Sequence, residues 1–164
     1  MYLNDKKQIL YILCRFRSNL VKERTRHINR THKLLSESFG WIYKRLRKNF
    51  PLERKYRQAF FKKYPSLNAA AEKKEELQAE VDGQTYKLII ESRKWQAETY
   101  IKELEYLIEQ ELGIIETLEE RIKQIERRIR KSAEQIEETK MLMKIPGAGA
   151  VSASIIFSIC KRYK

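Results

Sequence analysis

Glycine, proline and cysteine are scarce in this 164-residue chain, with five, three and two copies. So few turn formers beside 35% charged side chains describe long helices better than a compact globule. Cys14 and Cys160 lie far apart, with neither metal-like spacing nor a disulfide framework, so both read as small apolar residues. Long apolar runs are missing too. No stretch approaches the roughly eighteen consecutive apolar residues of a membrane span, and no signal peptide with a small-residue cleavage site opens the chain. The expectation is a cytoplasmic chain with no membrane partner. Acids are nearly missing from the first 64 residues, where only Asp5, Glu23, Glu37 and Glu53 stand against eighteen Lys or Arg.

That last shortage localises the charge. Residues 65 to 164 carry seventeen basic and eighteen acidic side chains, so the whole formal excess of +13 belongs to the first 64. A block of this density attracts a polyanion and makes its binding strongly salt-dependent. Nucleic acid is the leading candidate, with an anionic membrane surface as runner-up.

Ile9, Leu13, Phe16, Leu20, Ile28, Thr31 and Leu35 recur at helical spacings and predict one amphipathic helix from Asp5 to about Ser38, with Gly40 as its stop. Arg15, Arg17, Lys22, Arg24, Arg26, Arg30 and Lys33 lie between them and are expected to form a basic flank. Residues 41 to 64 mix Lys44, Arg45, Arg47, Lys48 and further cations with Trp41, Tyr43, Phe50, Tyr56, Phe60, Phe61 and Tyr64. Pro51 divides this segment into two short helices and Pro65 closes it. Trp41, Phe50, Phe60 and Phe61 are read as core anchors, with stacking on unpaired bases or ribose as the alternative. Ala69 to Val81 is helix-prone, and Asp82-Gly83 signals a turn.

The clearest periodicity follows. Ile101, Ile108, Ile115, Ile122, Ile129, Ile136 and Met143 stand seven apart, which is a coiled-coil a position, while the d position is apolar only at Leu104, Leu118 and Ile125. Leu107, Leu112 and Ile114 widen the apolar face and point to an added helix, such as the one at residues 5 to 38. A helix from about Gln84 to Lys144 would reach roughly 90 Å and could not bury itself alone, so dimerisation or folding back is expected. Arg121, Lys123, Arg127, Arg128, Arg130 and Lys131 form a second basic cluster. It suits a phosphate-tracking stripe and ordinary solvated coil positions equally. The acids of the coil are read as its charged outer face.

Catalytic chemistry finds no set of residues. His27 and His32 are five apart, on different helix faces and without a Cys or acidic partner set, so no metal or other cofactor is expected. No Ser or Cys stands beside a base in a strand-turn-helix context, and there is no predicted sheet from which carboxylates could converge on two metals. Near the end, Met141, Leu142 and Ile145 precede Pro146-Gly147-Ala148-Gly149, and Ala153 and Ile156 follow it. This is the pattern of two short helices closed by a glycine turn, with small Ala150, Ser152, Ala153 and Ser154 at the approach. N–H groups from Gly147 to Ala150 would contact a DNA backbone without reading its sequence.

Two of these stretches together resemble one family. Leu20-Val21-Lys22-Glu23-Arg24-Thr25-Arg26-His27-Ile28-Asn29-Arg30 with Leu34-Leu35 resembles the arginine-rich helix after the catalytic domain of bacterial insertion-sequence transposases, the Piv/MooV-like DEDD recombinases with a RuvC-like nuclease fold. Leu142-Met143-Lys144-Ile145-Pro146-Gly147-Ala148-Gly149 and Ala153 look like the start of their C-terminal transposase domain, and Phe61-Lys62-Lys63-Tyr64-Pro65 fits an aromatic-Pro motif between the two. The basic Ser158-Ile159-Cys160-Lys161-Arg162 departs from the acidic residue and Gly-Asp common there. The resemblance implies a middle portion of a transposase, with the catalytic acids before residue 1 and the serine nucleophile after residue 164, so no catalytic residue is carried over. It also implies a structured guide RNA, DNA partners and higher oligomers joined through coiled coils.

The expected fold is all-α. It comprises a basic helical nucleic-acid-binding region at 1–67, a short helix and turn at 68–83, a parallel or antiparallel coiled-coil helix at 84–144 and the truncated start of a helix-hairpin-helix-like domain at 145–164. The expected function is non-catalytic binding of DNA or structured RNA, by the basic residues named from Arg15 to Lys48 with Gly147 and Gly149. Oligomerisation is expected through Ile101, Leu104, Ile108, Ile115, Leu118, Ile122, Ile125, Ile129 and Ile136. A stand-alone nucleic-acid-binding accessory protein and a structural coiled-coil scaffold are the alternatives.

Overall fold

The computed structural model describes residues 3–50, 52, 55–92 and 98–160. The helix breaker Pro51, the side chains of Tyr56 and Cys160, and Lys161 and Arg162 lie outside the described residues. The fold is all-α, with no strand among the described residues. In chain order the helices are α1 (Leu3–Phe39), a single 3-10 turn (Gly40–Ile42), α2 (Tyr43–Asn49), α3 (Lys55–Lys63), α4 (Leu67–Glu72), α5 (Lys74–Glu80), α6 (Gly83–Ser92), α7 (Glu98–Ala133), α8 (Glu137–Met143) and α9 (Ala150–Cys160). They group into two compact units, one of Met1–Arg24 with Thr117–Lys164 and one of Thr25–Glu116.

In the second unit α1 ends where expected, at Phe39, and Gly40 turns the chain with φ +58°, a left-handed value that favours glycine. Ile28, Leu35 and Phe39 of α1 meet Ile108, Leu112 and Ile115 of α7 in one buried core, which the short helices complete. Tyr100 pairs with Glu37 and Glu111 with His27, so residue numbers fall on α7 as they rise on α1 and the two helices run antiparallel. Phe60 stacks on Phe50 at 3.9 Å and meets Phe61 edge-on at 5.3 Å. Phe61 also contacts Phe39 and Tyr43 by its edges. Offset and edge-to-face pairs of this kind add to the area that each ring buries. The Asp82-Gly83 signal is the start of a helix: Asp82 accepts from the Thr85 N–H at 2.9 Å and caps α6. The predicted helix from Ala69 to Val81 is two helices, α4 and α5, broken at Lys73.

In the first unit the buried stripe of α1 is shifted from the expected one. Leu10 and Cys14 are buried, Leu13 is half-buried, and Ile9, Ile12 and Phe16 are exposed. Leu10 shares the phase of Ile28, five full turns away, whereas Ile9 and Phe16 lie about a third of a turn off it. Leu10 and Cys14 pack with Ile129, Ile136 and Phe157, and Leu20 packs with Leu118 and Ile122. Arg17 meets Glu126 and Arg24 meets Glu119, again in antiparallel order.

The single long helix is corrected in the same unit. α7 stops at Ala133, and Ile136, an expected seam position, lies in extended backbone with φ −122° and ψ 120°. The buried Thr139 hydroxyl donates to the carbonyl oxygens of Ile136, at 2.7 Å, and Ala133, so the weak d position at Thr139 is what fastens the break. The 36 residues of α7 span about 54 Å, and residues 93–97 of the expected rod lie outside the described residues.

The seam itself is also corrected as a surface between subunits. Ile101, Leu104, Ile108, Ile115, Leu118, Ile122, Ile129 and Ile136 are all buried within one chain, and Ile125 is half-buried. Ile108 and Ile115 pack with α1 in the second unit, and Leu118, Ile122, Ile129 and Ile136 pack with it in the first, so these positions are filled from within the chain. Leu112 of the widened face is buried with them, while Leu107 and Ile114 remain exposed.

Candidate nucleic-acid interface

Helix geometry sorts the expected cations into two groups. Arg17, Arg24, Arg30 and Arg45 turn toward acids of the same chain. In the first unit Arg17 holds Glu126 at 2.8 Å and Arg24 lies 3.9 Å from Glu119. In the second, Arg30 lies 4.0 Å from Glu111, whose other oxygen is 2.6 Å from His27 Nδ1. Arg45 donates to Asp82, Gln84 and the Thr85 hydroxyl. Asp82 is held below the usual carboxylate range, chiefly by hydrogen bonds from the Thr85 hydroxyl and N–H and further by Arg45.

These pairs correct the reading of the coil acids as an outer face for three of them: Glu111, Glu119 and Glu126 are half-buried and meet α1, while Glu103, Glu109, Glu120, Glu134, Glu137 and Glu138 are exposed as expected. The pairs orient Arg17, Arg24 and Arg45 and leave them poor candidates for phosphate contact, since a polyanion would have to displace a carboxylate that is already in place. The Arg30 side chain, by contrast, is 65% exposed and stays largely open.

The other group is Arg15, Lys22, Arg26, Lys33, Lys44, Arg47 and Lys48. All seven are exposed, and none has an ion-pair partner among the described residues. Arg15 and Lys22 in the first unit are seven apart, and so are Arg26 and Lys33 in the second, which places each pair on one side of α1. On α2 the buried Tyr43 and Leu46 face the core, and Lys44, Arg47 and Lys48 occupy the outer side.

The second basic cluster lies wholly in the first unit. Arg121, Lys123, Arg127, Arg128, Arg130 and Lys131 are all exposed on α7. Lys123 meets Glu120 at 2.9 Å, and Glu126 is already engaged by Arg17. Lys123, Arg127, Arg130 and Lys131 border a shallow groove of about 420 Å³ together with Glu126 and Glu134. The fold supplies the signal that was missing in the sequence, namely that Glu119 and Glu126 turn inward and leave Arg121, Arg127, Arg128, Arg130 and Lys131 without an ion-pair partner among the described residues.

Gly147 and Gly149 lie in the turn between α8 and α9, and Gly147 has φ +83°. The Ala148 N–H closes this turn on the Ile145 carbonyl at 3.0 Å, so that donor is not aimed outward as expected. Ala153, Ser154 and Phe157 are the buried face of α9, whereas Ile156 and Ser152 are exposed. Among the described residues no group of His, Cys, Asp or Glu is arranged to hold a metal ion, and no helix is long and apolar enough to cross a membrane. The chain matches no protein-family model, no curated protein and no solved structure.

Proposed function

We propose that this chain is a non-catalytic nucleic-acid-binding segment of a bacterial DNA transposase or recombinase, one that holds DNA or a structured RNA. The observation that carries the binding half is the sorting of the cations. With Arg17, Arg24, Arg30 and Arg45 set against acids, Arg15, Lys22, Arg26, Lys33, Lys44, Arg47 and Lys48 still stand exposed, and six further cations line α7. Contacts of this type go to phosphates and position a nucleic acid without reading it. The recombinase half rests on the resemblance of the arginine-rich helix and the Pro-Gly-Ala-Gly turn. Self-association belongs to the same proposal and is assigned to the exposed flank of α7 at Leu107 and Ile114, seven residues apart beside the filled seam.

The experiment is a titration of the chain against a structured RNA and a DNA duplex of equal length at several salt concentrations. Binding that falls steeply with salt is expected, and a preference for the RNA favours the guided-recombinase setting. No binding to either at physiological salt removes the proposal and leaves the scaffold reading.

A further inference from the structure

We infer that an open cleft in the second unit takes an unpaired nucleobase, with Trp41 as its stacking platform and Lys44 and Lys48 on the adjoining phosphates. The inference rests on the nucleic-acid reading above and adds to it a single-stranded segment of the bound RNA or DNA.

The aromatic residues of the arm divide sharply. Tyr43, Phe60, Phe61 and Tyr64 are buried and Phe50 packs against them, as core anchors do. Trp41 is 68% exposed, although it follows directly on the buried Phe39 and the left-handed Gly40. It borders a cleft of about 690 Å³, within the range of roughly 300–1,000 Å³ usual for small-ligand sites. Leu67, Leu88 and Ile101 contribute apolar lining, and the exposed Tyr100 lines the cleft as well, with its hydroxyl donating to Glu37 at 3.1 Å. An apolar, aromatic-walled cleft of this size suits a flat ring system, and stacking on an indole is tolerant of base identity.

The charges choose between a base and other occupants. Glu37 and Glu91 line the cleft and repel a phosphate, while their oxygens can accept from the N–H groups of a base edge. Just outside, Lys44 and Lys48 follow Trp41 at spacings of three and seven, on the exposed side of the 3-10 turn and α2. A base inside and its phosphates outside match this arrangement. A cationic peptide would suit the two carboxylates, yet Lys44, Arg47 and Lys48 of the following helix, which carries no acid, would repel it.

The test compares the wild-type chain, Trp41→Ala and Trp41→Phe for binding to a single-stranded RNA oligonucleotide and to a DNA duplex of the same length, with circular dichroism to check that helix content is kept. Trp41→Ala is expected to bind the single strand about 5- to 150-fold more weakly, the range that corresponds to one lost stacking contact. Trp41→Phe is expected to retain most of the affinity, and duplex binding is expected to stay unchanged in both. Equal single-strand affinity for wild type and Trp41→Ala, or an equal loss on the duplex, overturns the cleft assignment while leaving the charge-based reading in place. Failure of the wild type to bind either probe at low salt overturns both.

Discussion

Residues Thr25–Glu116 carry eighteen basic and fourteen acidic side chains, whereas Met1–Arg24 with Thr117–Lys164 carry seventeen and eight. Along the chain the charge looks like a property of the first 64 residues. In the fold it is densest in the unit that combines the start of α1 with the second half of α7. The acids explain the difference. Those from Glu98 to Glu116 belong to the second unit, where Glu111 and Glu116 meet His27, Arg30 and Lys62. In the first unit Glu119 and Glu126 neutralise two arginines, and beyond them α7 turns basic. The cores differ in the same sense. The second unit has one large core with an aromatic centre, while the first has two small clusters and leaves Ile9, Ile12, Phe16, Ile155, Ile156 and Ile159 exposed.

The strongest way to break this comparison is to attack the thinner core. Ile122→Asn combined with Ile129→Asn puts two amides into the clusters of the first unit, each without a partner, at a cost of roughly 1–3 kcal/mol apiece plus the lost packing. The expected result in urea is a large loss of stability. The mass from light scattering is expected to stay that of the wild type, because the seam is filled from within the chain. A change of mass would return these isoleucines to an interface between subunits.

Charge variants sharpen the comparison next. Arg15→Gln with Lys22→Gln tests the first unit, and Arg26→Gln with Lys33→Gln tests the second. Each pair is expected to lower the magnitude of the salt slope for duplex binding by about 2 if both cations meet phosphates. Arg17→Gln with Arg24→Gln, which removes paired arginines, is expected to change the slope by less and to cost stability instead. If the paired set changed the slope as much as the exposed sets, the sorting of cations by their partners would be wrong.

A smaller effect belongs to the second unit alone. Asp82 caps α6 and is held below the usual carboxylate range chiefly by Thr85. A carboxylate with a depressed folded pKa stabilises the fold above its ordinary value, and that contribution is lost as pH falls through the lowered one. Thr85→Val keeps the shape and removes the hydroxyl that Asp82 and Arg45 both contact. The variant is expected to be less stable at neutral pH, with the gap narrowing as the medium is acidified. A gap in urea midpoint that does not move with pH would assign the loss to the Arg45 contact or to packing.

Helix class, the Gly40 stop and the pairing of α1 with the isoleucine helix were legible because periodicity and turn chemistry are local. The pairing of the acids was not. Glu111 falls on a d position and Glu119 and Glu126 on the e positions beside the seam, and only the position of α1 reveals that they meet His27, Arg24 and Arg17. The break after Ala133 was hidden for a related reason, since Ile136 keeps its heptad place while its backbone is extended. Nor could composition separate Trp41 from Phe60 and Phe61, because all three sit in one aromatic, basic segment and only burial distinguishes them.

Two glycines give the finest comparison, one in each unit. Gly113 lies inside α7 in the second unit, and a Cβ built there meets nothing within 4 Å. Gly113→Ala therefore removes backbone freedom from the unfolded chain without a clash, and is expected to add roughly 0.5–1 kcal/mol of stability. Gly147 in the first unit is equally open, yet its φ of +83° is one that an L side chain rarely adopts. Gly147→Ala is expected to cost about 1–2 kcal/mol for that reason alone. Opposite signs in urea denaturation would show that conformation, and not space, decides what each position accepts. A stabilising Gly147→Ala would mean that the turn between α8 and α9 has another shape in solution, and the resemblance carried by Pro146-Gly147-Ala148-Gly149 would lose its structural basis.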